Sequence, residues 1–239
     1  MTGAVQGFIS NFQLAMNPQI TKYYAQGDFS NLFNLVQRGA KFSLLLYFFL
    51  ALPLFLDLDY ILNLWLVDVP EHTLSFIRLT FILMIIESLS SPVITCLLAV
   101  GKVKWYQIIV GGLLILNLPI SGIALKMGCA PEVTIQVAIV ISVLSLIVRL
   151  CMLKLYIGFP IFSFASNVIL KSLIVIILST SISYAIYTII PFYAFPRLLF
   201  TCIESWIIAL VLTYCVGLNR SEREMVLNMV RKFLTKVRI

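Results

Sequence analysis

Apolar residues in this chain do not alternate; they run on in long blocks separated by short polar breaks. Six such blocks follow one another: Phe42–Val67, Leu74–Val100, Trp105–Leu125, Val133–Leu155, Asn167–Ile190 and Leu198–Leu218. Each offers about 20 residues or more, enough for a helix rising 1.5 Å per residue to cross about 30 Å of hydrocarbon. Membrane strands would need only about ten residues of alternating polarity, and that alternation is missing. The pattern therefore predicts an all-α integral membrane protein with six full spans. A shorter, less apolar stretch, Ala4–Met16, predicts a partial opening helix closed at Asn17-Pro18.

Polar residues inside the blocks refine the picture. Pro53, Pro92 and Pro119 each remove a backbone donor and predict kinks. Asp57 and Asp59 sit near the far end of the first block, and Glu87 stands mid-span before the run Ser-Leu-Ser-Ser-Pro that ends at Pro92. Two segments read as lying on the membrane. Phe29, Leu32, Phe33 and Val36 recur at helical spacing behind Asp28, a residue suited to an N-cap. In the tail, 219–239, Val226, Val230, Phe233 and Val237 form a stripe opposite Arg231, Lys232, Lys236 and Arg238. A basic amphipathic helix of that kind binds anionic lipid headgroups, so membrane lipids are an expected partner. The chain thus divides into a helical membrane domain, 1–218, and a basic tail.

Composition agrees with burial in lipid. Hydrophobic residues make up 61% of the chain and charged ones 11%, with a mean hydropathy of +1.05. A soluble domain has about 25% charged residues, and a disordered one has low hydrophobicity. The net charge of +7 does not imply nucleic acid, because the basic residues gather at the ends of apolar blocks. Summed over alternate gaps, fourteen Lys and Arg fall on one side and three on the other. The positive-inside rule makes the first side cytoplasmic, with the C-terminus on it, in an inner (plasma) membrane. Tyr60 and Trp65 at one edge, and Trp105 and Tyr106 at the other, suit the headgroup level. The five cysteines show no zinc or redox spacing, and His72 is the only histidine, so neither a metal nor a cofactor is expected. Without a cluster of acids, His or Arg in an outer loop, the reading is not an enzyme. This topology starts the opening helix outside, which would require an odd number of helices upstream, so the chain reads as the C-terminal part of a larger transporter.

The opening helix carries candidate chemistry. Gln6, Ser10, Gln13 and Asn17 are spaced to share one helical face. Amides facing lipid are unfavourable, so this face is expected to meet protein or water. It serves either interhelical hydrogen bonding, worth about 0.6 kcal/mol per contact, or the wall of a polar cavity. Arg78 and Glu87, on one helix, are assigned to the same surface.

The stretch Pro18-Gln-Ile-Thr-Lys-Tyr-Tyr-Ala-Gln-Gly-Asp28 resembles the end of the second helix of each lobe in bacterial polysaccharide flippases, of the multidrug/oligosaccharidyl-lipid/polysaccharide exporter superfamily. Further stretches are similar to the same family: Ile61-Leu-Asn-Leu-Trp-Leu66 before Val69-Pro-Glu71, Leu98-Ala-Val-Gly-Lys-Val-Lys-Trp-Tyr-Gln107, and Arg149-Leu-Cys-Met-Leu-Lys154 with Gly158-Phe-Pro160. By that register the chain resembles helices eight to fourteen of a two-lobe flippase, and its partner is the missing N-terminal lobe. The resemblance implies flipping of a polyprenyl-linked oligosaccharide for polysaccharide or O-antigen export, with the amide stripe contacting sugar hydroxyls. A cation-coupled multidrug exporter of the same superfamily and a non-transporting membrane subunit stand as alternatives. The first would draw on intramembrane acids such as Glu87 and Glu204.

Overall fold

The computed structural model describes residues 2–189, 195–224 and 227–228, and these form helices without a strand among them. Six helices are long and apolar enough to cross a membrane: Phe29–Leu56, Thr73–Val100, Val103–Lys126, Val133–Ile157, Ile161–Ile189 and Phe195–Gly217. The chain is thus an all-α, multi-pass membrane protein.

The opening helix α1 runs Thr2–Ala25 and passes through Pro18 rather than closing at Asn17. One lost backbone bond does not end it, because Ile9 and Ile20 on either side are fully buried and α1 packs against α2 and α4. The segment around Phe29 is likewise not a separate surface helix. It is the first part of α2, Phe29–Leu56, capped by Asp28, whose carboxylate accepts from the Asn31 amide at 3.1 Å. Leu32 and Val36 of that stripe are fully buried against the bundle. At the other end Pro53 weakens the last turn, and the helix breaks at Asp57 before the short α3, Leu58–Trp65.

Helix α4, Thr73–Val100, carries Pro92 without a break and stops at Gly101, whose φ of 79° lies in the left-handed region open to glycine. The third span splits at Leu116 into α5, Val103–Ile115, and α6, Asn117–Lys126, with Pro119 in the first turn of α6. Helix α7 covers Val133–Ile157. The fifth span starts as α8, Ile161–Phe164, widens into a π-helical stretch at Ala165–Leu170 and continues as α9, Lys171–Ile189. The last, α10, Phe195–Leu212, also ends in π-helix, Thr213–Gly217. The stripe expected from Val226 to Arg238 lies outside the described residues.

Helices α2 and α4 form the centre, with α1, α9 and α10 around α2 and α7 beside α4. Leu32, Val36, Ala40, Val93, Cys96, Leu153, Phe164, Val168 and Val175 make the fully buried core. In lipid the transfer of apolar surface drives helices together little, so close packing and small residues matter more. Gly39 of α2 shows this: a Cβ there would lie 2.2 Å from the Met16 methyl group of α1 and 3.5 Å from Pro92 of α4. Helices α9 and α10 bury Ser179, Ser183, Thr201 and Ser205 for the same reason.

Successive spans reverse direction, so connections meet at alternate ends. One end is basic: Lys102 lies over the Tyr156 ring at 4.7 Å, and Ser163 donates to Gln37 at 3.3 Å. At the opposite end Arg197 approaches Asp57 at 3.9 Å and stacks on Tyr187 at 3.8 Å, and His72 meets Glu132 at 2.6 Å. Glu132 is held below the ordinary carboxyl value by its own backbone amide first and by His72 second. A carboxyl lowered by folding contributes to stability above its unfolded value and loses that contribution as pH falls through the lowered one. Protection of the 130–134 turn, measured as hydrogen exchange relative to the intrinsic rate at each pH, is therefore expected to hold at neutral pH and to fall as Glu132 becomes protonated in acid, with Glu132→Gln removing the step.

Candidate functional site

The amide stripe of α1 meets α4. Gln13 is buried and its Nε2 donates to the backbone carbonyl of Ser88 at 3.2 Å. That carbonyl lies four residues before Pro92, whose ring nitrogen has no hydrogen to offer it. Gln13 therefore supplies the donor that the proline removes, the compensation a kinked helix needs where water is absent. One turn on, Thr95 donates to the Asn17 side-chain oxygen at 3.0 Å. Ser10 turns back to its own helix, bonding the carbonyls of Gln6 and Gly7 at 3.0 Å. Gln6 keeps a buried side-chain oxygen without a partner among the described residues.

Arg78 and Glu87 are not brought together. Nine residues are two and a half turns, so the two point to opposite sides of α4. Glu87 accepts from Ser142 of α7 at 2.7 Å, while Arg78 reaches Asp59 of α3 at 3.7 Å and lies over the Phe55 ring. The shared surface expected for them does not form.

A concavity lies one helical step away from the stripe. The neighbouring face of α1, with Phe12, Met16 and Gln19, and the outer face of α2, with Asn34, Arg38 and Phe42, enclose a groove of about 630 Å³. Its walls are apolar towards the middle of the helices, and its basic end is polar. Asn31, Asn34 and Arg38 went unrecognised in the sequence, although they recur on α2 opposite Leu32 and Val36. Reading residues 29–36 as a surface helix hid that face.

Behind Arg38, at the basic end, lies a small polar cavity of about 60 Å³, lined by Asn34, Gln37, Asn167, Asn219 and Ser221 among others. Lys41 is almost wholly buried and donates to both oxygens of Glu222, at 3.1 and 2.8 Å, and to the carbonyl of Gly217 at 3.2 Å. Glu222 also accepts from the Asn219 backbone amide at 2.7 Å, the carboxylate half of a capping box at the turn after α10. Arg38 donates to Ser221 at 3.2 Å and Lys171 to the side-chain oxygen of Asn219. Among the described residues no group of three His, Cys, Asp or Glu is placed to hold a metal ion.

Fold and grooves together define a multi-pass helical membrane protein with an amphiphilic cleft open on one flank. No family model, no curated protein and no solved structure matches the chain.

Proposed function

We propose that this chain is part of a membrane transporter that flips a lipid-linked oligosaccharide across the bilayer, as in polysaccharide or O-antigen export. The groove between α1 and α2 carries the reading, because its polarity matches an amphiphile. A prenyl chain suits Phe12, Met16, Phe42 and Leu46, and a polar head suits Gln19, Asn31, Asn34 and Arg38. Amides offer both donors and an acceptor to hydroxyl groups, and Arg offers a planar fork to phosphate. The resemblance at Pro18–Asp28 and Leu98–Gln107 supports the same class. A groove open along its flank lets the tail stay in lipid while the head moves, which is the physical requirement of such transport.

Deleting the chain from its source cell should leave lipid-linked oligosaccharide on the inner leaflet and strip polysaccharide from the surface. Unchanged surface polysaccharide would overturn the proposal. Direction rests on the charge asymmetry: in a variant without the native cysteines, Cys at position 72 should react with an impermeant thiol reagent from outside, and Cys at position 26 should not. The reversed pattern would reverse the direction of transport.

A second reading, a cation-coupled exporter, is favoured by Glu87, an acid in the middle of α4 that accepts from the Ser142 hydroxyl and has no cation beside it among the described residues. It predicts that Glu87→Gln abolishes ion-driven uptake of a cationic dye into inverted vesicles while surface polysaccharide is unaffected.

A further inference from the structure

The polar cavity at the basic end has more positive charge than its described neighbours neutralise. Three cations converge on the turn after α10: Arg38 and Lys41 from α2, and Lys171 from the start of α9. The acid among their partners is Glu222, and both its oxygens are taken by Lys41. Arg38 and Lys171 are left with neutral oxygens, those of Ser221 and Asn219. Two positive charges thus remain: Arg38 lines the cavity and Lys171 reaches its wall through Asn219, while Lys41 and Glu222 in the lining neutralise each other and Asn34, Gln37 and Asn167 add amides able to donate. Cations beside a low-dielectric bundle attract an anion strongly, and Arg with Lys is the pairing that holds phosphate oxygens. The cavity has room for one small anion and not for a sugar ring. Arg38 and Asn34 also line the α1–α2 groove, so the cavity and the groove share a wall.

We infer that Arg38 and Lys171 form a binding site for the phosphate of a membrane lipid, with the phosphate in the polar cavity and the lipid chain in the α1–α2 groove. Lys41 takes no direct part; its pairing with Glu222 holds the turn that presents Asn219 and Ser221. The inference deepens the transport reading and rests on it for the course of the lipid chain, whereas the anion site follows from the charges. Occupation would place the phosphate at the basic end with the attached sugar pointing out of the bundle, so the site recognises the anchor and not the sugar.

The test is binding to the whole chain in phosphatidylcholine nanodiscs, using geranylgeranyl phosphate, its uncharged alcohol and inorganic phosphate as probes. Prenyl phosphate should bind saturably. Arg38→Gln and Lys171→Gln should each weaken it roughly ten-fold, the loss of one charge-assisted contact, and Arg38→Lys should restore part of the loss. Equal affinity for phosphate and alcohol, or no change in either Gln variant, overturns the site. Inorganic phosphate binding as tightly as the prenyl phosphate overturns the assignment to a lipid. The two readings fail separately. Binding that follows these charges while deletion leaves surface polysaccharide unchanged sinks transport alone; charge-independent binding with polysaccharide lost on deletion sinks the site alone.

Discussion

Lys41→Met is expected to destabilise the bundle by about 3–5 kcal/mol, as is Glu222→Gln, because each leaves its partner buried and incompletely matched. All three ammonium hydrogens of Lys41 have acceptors, two on Glu222 and one on Gly217. Without the ammonium, the Glu222 carboxylate keeps the Asn219 amide and little else. Without the carboxylate charge, an ammonium stays buried deep against α10. A charge pair that is costly to break need not be stabilising as a pair, since both ions were first taken from water. The double variant Lys41→Met/Glu222→Leu should therefore recover most of the loss. Thermal unfolding of the detergent-solubilised chain decides it: two low single variants and a recovered double variant are expected. Additive losses would mean that the two side chains act independently.

Gln13→Leu should cost about 1–3 kcal/mol, the penalty for leaving a buried carbonyl without its donor. The mechanism makes a sharper prediction in a second background. Pro92→Ala supplies a backbone N–H that can bond the Ser88 carbonyl directly, so Gln13→Leu should then cost about 1 kcal/mol less. Additivity within about 0.5 kcal/mol across the cycle would show that Gln13 does not compensate for the proline. The same cycle separates packing from transport. If Gln13 serves only Ser88, Pro92→Ala should rescue the abundance of Gln13→Leu and surface polysaccharide with it. Lost polysaccharide at restored abundance would put Gln13 on the substrate path as well.

The spans were legible because twenty apolar residues have few alternatives, and five of the six structural spans end within a few residues of the sequence reading. The errors share a cause. Residues 29–41 looked too polar to continue the first span, with Arg38, Gly39 and Lys41 in succession. They continue the helix, and Lys41 is buried in it because Glu222, 181 residues away, neutralises its charge; no local pattern contains that partner. Pro18 looked like a helix end because the rule counts the lost bond and not the packing of Ile9 and Ile20 on both sides. The amide stripe was correctly placed on one face of α1, but which helix it meets depends on tertiary arrangement. The groove residues Asn34 and Arg38 were missed because their face emerges only when α2 is one continuous helix.

The distance between Lys41 and Glu222 along the chain also governs the order in which the molecule can be completed. Helix α2 is made before α10, and its buried cation stays unmatched until the residues after α10 leave the ribosome. Through the insertion of the intervening spans, the Lys41 side chain has to reach along α2 to the aqueous boundary, as long basic side chains do. The helical hairpins between can pair locally as they arrive, but α10 joins α2 only at the end. Closing so long a loop is slow and comes last. A chain interrupted during translation before residue 222 would hold helices α1 to α10 yet carry an exposed charge on α2, a feature by which it differs from one that extends past Glu222.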